Sequence, residues 1–119
     1  MTLLVGIRCT DGVVVATDAA ATFGVTGRYT ITHPLIKIDI IDDAVIVATT
    51  GQVGLGQRFR EIVGELYRSK ELKGSPISWA KTMCTKTLQD FASTGLNAGG
   101  LGALVAFSQK REQFLCEFQ

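Results

Sequence analysis

The stretch LIKIDIIDDAVIVATTGQVG, residues 35–54, decides the fold of this chain. Two apolar segments, residues 35–41 and 44–49, flank the turn-forming pair Asp42 and Asp43, which predicts a β-hairpin. Both segments are apolar at nearly every position, as in strands that are covered on both faces. The glycine run GQVGLG, residues 51–56, then leads into a helix. We therefore expect a sheet that lies between two layers of other elements.

The flanking sequence predicts more strands and one pair of helices. Apolar residues recur at helical spacing in RFREIVGELYRSKEL, residues 58–72, which predicts an amphipathic helix. Ser78 is the expected N-cap of a second helix that ends near Ala92. The other expected strands are residues 2–8, 13–17, 101–107 and 113–118, with a possible short strand at 28–32. The order ββββ-αα-ββ predicts an α+β fold with helices laid on an antiparallel sheet.

Composition argues against several classes of protein. A chain of 119 residues is expected to form one domain, residues 1–119. A net charge of +1 argues against a nucleic-acid interface, which needs a basic face. The sequence has neither an apolar run long enough for a membrane span nor a cationic secretion signal. We therefore expect a cytoplasmic protein that binds neither nucleic acid nor membrane.

The three cysteines indicate no metal site. Cys9, Cys84 and Cys116 have spacings that match neither a zinc site nor a disulfide framework. We expect reduced, mostly buried thiols, and we expect no metal and no cofactor.

The glycine run has three possible interpretations. A strand, a glycine-rich turn and a helix could cradle the phosphates of a nucleotide, although the spacing is not Gly-x-Gly-x-x-Gly. The glycines could instead simply permit a tight turn from strand to helix. In the third interpretation, a backbone amide of this run stabilises an oxyanion in a reaction centre.

Four segments in order resemble the N-terminal threonine hydrolases, the family of proteasome β-subunits and bacterial HslV-type peptidases. They are Thr2 directly behind Met1, VVVATDAAATFG at residues 13–24, the stretch 35–54, and the helix that follows. The spacing from Thr2 to Asp18 agrees with the spacing from nucleophile to acid in the family. The sequence is most similar to the HslV-type peptidase and the related betaproteobacterial proteasome homologue.

The resemblance implies a layered αββα sandwich. A sheet that is apolar on both faces needs two helical layers, and this chain has helices for one. We therefore expect that the second helical layer is missing and that the domain is truncated at its C-terminus.

The resemblance also implies a set of catalytic residues. Thr2 is the expected nucleophile, with its own α-amine as the base. Asp18 is expected to orient Lys37, which lies fourteen residues before the oxyanion glycine, Gly51. This match requires a lengthened loop between Thr22 and Lys37. An alternative is that Lys37 is only a solvated lysine on a strand.

Four further residues resemble the substrate-binding positions of the family. Thr22 is expected to pair with the backbone of an extended peptide. Ala21, Thr49 and Val53 resemble residues that line the primary specificity pocket. Their small-to-medium side chains predict a preference for apolar substrate residues.

These assignments predict a threonine-type endopeptidase subunit of a self-compartmentalising bacterial protease. The expected partners are peptides or unfolded proteins, identical subunits in a double ring, and an AAA+ ATPase unfoldase. While Met1 is retained, Thr2 has no free α-amine and the protein is expected to be inactive. It is also expected to be inactive without the C-terminal part of the fold, which in the family supplies serine and aspartate residues that support the threonine amine. The alternatives are a non-catalytic shell subunit, a different N-terminal-nucleophile amidase, and a nucleotide-binding domain that uses residues 51–56.

Overall fold

A computed structural model describes residues 3–25, 29–34 and 36–119, with the backbone alone for residues 20–25 and 29–34. Two helices are described, α1 (Val53–Arg68) and α2 (Pro76–Thr94), and a short 3-10 turn at Ala98–Gly100. The strands are β1 (Leu4–Arg8), β2 (Val13–Thr17), β3 (Ala20–Val25), β4 (Tyr29–Pro34), β5 (Ile38–Ile41), β6 (Val45–Gly51), β7 (Leu101–Gln109) and β8 (Glu112–Phe118).

The central sheet is antiparallel, with the strand order β5-β6-β7-β8. The predicted hairpin over residues 35–49 is confirmed in its described part, with Ile38 opposite Ala48 and Ile41 opposite Val45. Asp42 and Asp43 form its turn, both with positive φ. Aspartate tolerates this left-handed conformation better than most residues, because its short polar side chain bonds locally.

Both faces of the central sheet are covered, as the apolar strands predicted. On one face, α1 and α2 bury a core in which Val47, Phe59, Val63 and Met83 are almost fully inaccessible to solvent. On the other face lies the β1–β2 hairpin, so close that a Cβ built on Gly6 would be 2.7 Å from Leu115 Cδ2. The predicted α+β class is therefore confirmed, since helices and strands pack as separate layers.

Both helices begin earlier than the sequence suggested. Helix α1 starts at Val53, so most of the glycine run is helical and does not form a loop. Ser78 is not the N-cap of α2, because the Ser75 side chain accepts a 3.2 Å hydrogen bond from the Ser78 backbone N–H. Pro76 is the first residue of α2, a position where the backbone N–H has no acceptor within the helix, so proline is tolerated there.

Residues 19–32 differ most from their prediction. Instead of one possible short strand at 28–32, the structure has β3 and β4 as an antiparallel pair, from Ala20 opposite Pro34 to Val25 opposite Tyr29. The described order is thus six strands, two helices and two strands. Phe23 and Val25 alternate with small or polar residues, as do Tyr29 and Ile31, but each alternation is only a few residues long, so the prediction included only part of this pair. Arg28 and Leu35, which were included in predicted strands, lie outside the described residues.

The expectation of mostly buried thiols is wrong. Cys9 and Cys84 are exposed and Cys116 is half-buried, and all three are free thiols. Burial raises the pKa of the Cys116 thiol. In the described part of the chain, no group of His, Cys, Asp or Glu could hold a metal ion. Neither α1 nor α2 has the length and apolarity that a membrane span requires.

Candidate active site

An ion pair joins the hairpin layer to the central sheet. Lys37 Nζ lies 2.5 Å from Asp18 Oδ1, where Asp18 follows the end of β2 and Lys37 precedes β5. The Lys37 side chain is only 5% exposed, whereas that of Asp18 is 41% exposed. A lysine ammonium is costly to bury without a counter-charge, so the carboxylate makes this position possible. Lys37 is therefore not the solvated strand lysine of the alternative interpretation.

The Asp18 carboxylate is held in its charged form. The hydrogen bond from Lys37 lowers the pKa of Asp18, and the lysine charge and the backbone N–H of Leu3 lower it further against the opposing effect of burial. Because Leu3 directly follows Thr2 in the chain, this contact places the ion pair at the first described residue. Thr2 itself lies outside the described residues, and its role as nucleophile stays a prediction.

Gly51 ends β6 in a conformation that requires glycine. Its φ is +98°, and a Cβ built on it would be 1.9 Å from the Gly100 carbonyl oxygen. The Gln52 N–H donates a 3.1 Å hydrogen bond to the same oxygen. Gly51 and Leu101 are therefore a non-hydrogen-bonded pair of the antiparallel ladder, and the Gly51 N–H is directed away from β7, towards the β5 side of the sheet.

The register between β5 and β6 places Lys37 beside Gly51. The Thr49 N–H donates a 3.2 Å hydrogen bond to the Lys37 carbonyl oxygen, so Lys37 lies opposite Thr49. Gly51 is two residues further along β6, and diagonal neighbours of this kind are roughly 7–8 Å apart. The structure thus brings together three of the four predicted catalytic residues, Asp18, Lys37 and Gly51.

The predicted pocket residues lie at different places. Thr49 is only 8% exposed and faces α1, where a Cβ on Gly56 would be 2.5 Å from Thr49 Oγ1. Val53 instead lines an open cleft of about 820 Å³, together with Gly51, Gln52 and Gly100. The pocket roles of Thr49 and Val53 stay predictions.

The remaining predicted substrate residues lie on β3. Ala21 is opposite His33 and Thr22 is opposite Thr32 in the β3–β4 ladder. Only the backbone is described here, and the side chains of Ala21 and Thr22 lie outside the description. The lengthened loop that the match of Lys37 required is largely this strand pair.

Two residues of the site were not expected from the sequence. Leu3 was assigned only to a strand, and its contact with Asp18 depends on how β1 lies against β2. Gly100 lies in the short turn before β7, and its close contact with Gly51 matches no motif in the sequence. Since the two glycines are far apart in the chain, no local pattern could reveal that they meet.

The arrangement of the glycine run argues against a dinucleotide site. β6 is antiparallel to both neighbouring strands, whereas a dinucleotide fold places the glycine-rich turn inside a parallel βαβ unit. Gly54 and Gly56 lie within α1 and so do not form a loop around a phosphate.

Comparison with known proteins identifies the family of the chain. The family model described as "Proteasome subunit" matches residues 2–119, nearly the whole chain. The mixed α+β fold fits the family of proteasome β-type N-terminal-nucleophile hydrolases. This chain belongs to the proteasome subunit family.

The similar curated proteins are β-subunits of archaea. Proteasome subunit beta of Methanococcoides burtonii is 34% identical over 90 residues, which cover 73% of this chain and 41% of the relative. Proteasome subunit beta of Methanohalophilus mahii is also 34% identical, with the same coverage. Proteasome subunit beta 2 of Thermococcus onnurineus is 31% identical over 81% of this chain and 44% of its own length. The chain thus spans less than half the length of the curated relatives that it matches.

Proposed function

We propose that this chain is a catalytic subunit of a proteasome-like threonine endopeptidase, which hydrolyses peptide bonds. The observation that carries the proposal is the buried Lys37 ammonium, held 2.5 Å from the Asp18 carboxylate in a member of the proteasome subunit family. Lysine is almost never fully buried unless its charge is paired. Such a charge is useful where a hydroxyl must lose its proton.

In the proposed reaction, the Thr2 hydroxyl oxygen attacks the carbonyl carbon of the scissile peptide bond while the free α-amine of Thr2 accepts the hydroxyl proton. The tetrahedral intermediate then expels the amine of the departing peptide, which takes that proton. An ester of Thr2 remains, and water cleaves it to release the acid product and the free hydroxyl. Lys37 favours the ionised form of the hydroxyl by its positive charge, and Asp18 orients Lys37.

Gly51 serves as the oxyanion donor in this proposal. Its N–H is directed away from β7 and lies on the side of the sheet where Lys37 is held. An amide in this position stabilises the negative charge on the carbonyl oxygen in the transition state. The substrate is an extended peptide that pairs with the backbone at Thr22, with an apolar side chain near Ala21, Thr49 and Val53.

The assembly is also part of the proposal. The family implies identical subunits in a cytoplasmic double ring that encloses the active sites, and an AAA+ ATPase that supplies unfolded proteins. The resemblance to bacterial HslV-type enzymes belongs here as well, since the similar curated proteins are archaeal β-subunits.

A paired substitution tests the proposed role of Lys37. The assembled protein, shown by intact mass to lack Met1, is assayed with a fluorogenic peptide that has an apolar residue before the scissile bond. We expect Lys37→Met to lower kcat/KM at least about 10²-fold, because the charge that assists proton transfer is lost. Lys81→Met removes an exposed lysine of α2 and is expected to leave kcat/KM unchanged.

Two results would contradict the proposal. One is full activity of Lys37→Met in rings that are otherwise intact. The other is wild-type protein that lacks Met1, forms rings and hydrolyses no peptide, which would identify a non-catalytic shell subunit.

A further inference from the structure

The Gly51 backbone rests directly on the Gly100 peptide group. A Cβ built on Gly51 would be 1.9 Å from the Gly100 oxygen and 2.9 Å from the Gly100 carbonyl carbon. The same oxygen accepts the hydrogen bond from the Gln52 N–H. One carbonyl group therefore fixes both Gly51 and the peptide that follows it.

Gly51 needs such an external constraint. Glycine adopts positive and negative φ with similar ease, so the φ of +98° is not imposed by its own sterics. The ladder between β6 and β7 does not fix the Gly51 N–H either, because Gly51 and Leu101 are a non-hydrogen-bonded pair. The contact with Gly100 fixes the conformation and, with it, the direction of the Gly51 amide.

Asn97 builds the turn that presents the Gly100 carbonyl. Its side-chain Oδ1 accepts a 2.9 Å hydrogen bond from the Gly99 N–H, and its carbonyl oxygen accepts a 3.3 Å bond from the Gly100 N–H. On the other side, a Cβ on Gly100 would be 3.2 Å from both Gln52 Nε2 and Leu55 Cδ1. The turn is thus held between the Asn97 side chain and the first turn of α1.

We infer that Asn97 is a positioning residue for catalysis, which acts through the Gly100 carbonyl to orient the Gly51 amide towards the oxyanion. The inference rests on the proposed function, since it assumes that Gly51 is the oxyanion donor. Asn97 and Gly51 are distant in sequence, and Asn97 touches neither substrate nor nucleophile in this scheme.

Substitutions at Asn97 test the inference, with an N-cap of α2 as the matched control. Asn97→Ala removes the acceptor for the Gly99 N–H, whereas Asn97→Asp keeps a carboxylate oxygen at that place. Ser75→Ala likewise removes a side-chain acceptor of a backbone N–H, but at the start of α2. All variants are assayed as assembled protein without Met1, with ring formation checked by gel filtration.

We expect Asn97→Ala to lower kcat about 10-fold with little change in KM, because small misplacements of a catalytic group cost this much or more. Asn97→Asp should restore most of the lost kcat, and Ser75→Ala should leave kcat unchanged. In an NMR spectrum of protein with isotope-labelled glycine, the amide resonance of Gly51 should shift in Asn97→Ala but not in Ser75→Ala.

Several results would overturn the inference. They are an unchanged kcat in Asn97→Ala, an equal loss of kcat in Ser75→Ala, and no rescue by Asn97→Asp. An unmoved Gly51 resonance in Asn97→Ala would also overturn it, and this readout needs no activity. Inactive wild-type protein combined with a shifted resonance would instead contradict the proposed function and leave the positioning of the Gly51 amide by Asn97 supported.

Discussion

The candidate site depends on the absence of a side chain at Gly51. Its positive φ and its contact with the Gly100 oxygen both exclude alanine, whereas Gly54, three residues later, has open space around it inside α1. The two glycines belong to the same run, but only Gly51 is required by its surroundings. The sequence could not separate them, because the contact that distinguishes them comes from Gly100, in the turn between α2 and β7.

The two glycines should therefore respond in opposite ways to alanine. We expect Gly51→Ala to lower the free energy of unfolding by at least about 1–3 kcal/mol, because of the strained φ and the clash with Gly100. Gly54→Ala should raise it by about 0.5–1 kcal/mol, because alanine is the better helix former. Urea denaturation measures both values. Equal effects of the two substitutions would contradict the described geometry of Gly51.

The Asp18 carboxylate contributes to the stability of the protein against acid. Since the pKa of Asp18 is lowered in the folded state, its ionised form is favoured by folding. The resulting stabilisation is complete above the ordinary value of 3.8 and is lost as the pH falls through the lower folded value.

Thermal unfolding of Asp18→Asn tests this linkage. At pH 7 we expect a lower Tm than in the wild type, because the Lys37 ammonium loses its counter-charge. The difference should shrink as the pH falls below the ordinary aspartate pKa of 3.8. Asp11→Asn, at an exposed turn position, is the control and should have little effect. A difference for Asp18→Asn that is constant over this range would count against the ion pair as its source.

The elements were predictable wherever one local pattern determined them. The hairpin around Asp42 and Asp43 and the amphipathic face of α1 follow from runs of apolar residues at strand or helix spacing. In β3 and β4 the apolar residues alternate with small or polar ones over only a few positions, so the sequence predicted no more than a short strand there. The N-cap of α2 was predicted at the wrong residue, because two serines precede the apolar face of the helix. Only the geometry shows that the Ser75 side chain accepts the hydrogen bond from the helix backbone.

The two serines at the start of α2 make a matched pair. Ser75 accepts the hydrogen bond from the Ser78 N–H, whereas the Ser78 hydroxyl only accepts a bond from the Ser75 hydroxyl. We expect Ser75→Ala to lower the free energy of unfolding by about 1 kcal/mol, the usual loss for an N-cap. Ser78→Ala should cost clearly less in the same denaturation experiment. The reverse order would mean that α2 begins at the position predicted from the sequence.

At the scale of the whole molecule, the layers bring distant residues to one site. Asp18 comes from the hairpin layer, Lys37 and Gly51 from one end of the central sheet, and Gly100 from the turn after α2. The family resemblance predicted the Asp18–Lys37 pair, whose residues are adjacent only because the hairpin packs against the sheet. The resemblance did not predict the contact between Gly51 and the Gly100 carbonyl, because no sequence motif of the family includes it.

The outer face of the β1–β2 hairpin carries exposed apolar side chains. Leu3, Val5, Ile7 and Val14 are each at least 40% exposed there. A second helical layer, expected from the resemblance, would cover this face. This face and the contact of Leu3 with Asp18 belong to the same hairpin layer.

The central claim is that Thr2 is an activated nucleophile with a free α-amine beside the Lys37–Asp18 pair. A peptide epoxyketone tests it most directly, because this inhibitor forms a morpholine ring only with a hydroxyl and an α-amine of the same residue. The assembled protein is treated with the inhibitor, and peptide mass spectrometry locates the adduct. The account predicts a covalent adduct on Thr2 in molecules without Met1 and none in molecules that retain Met1. The absence of an adduct on Thr2, in assembled protein shown by intact mass to lack Met1, would contradict it.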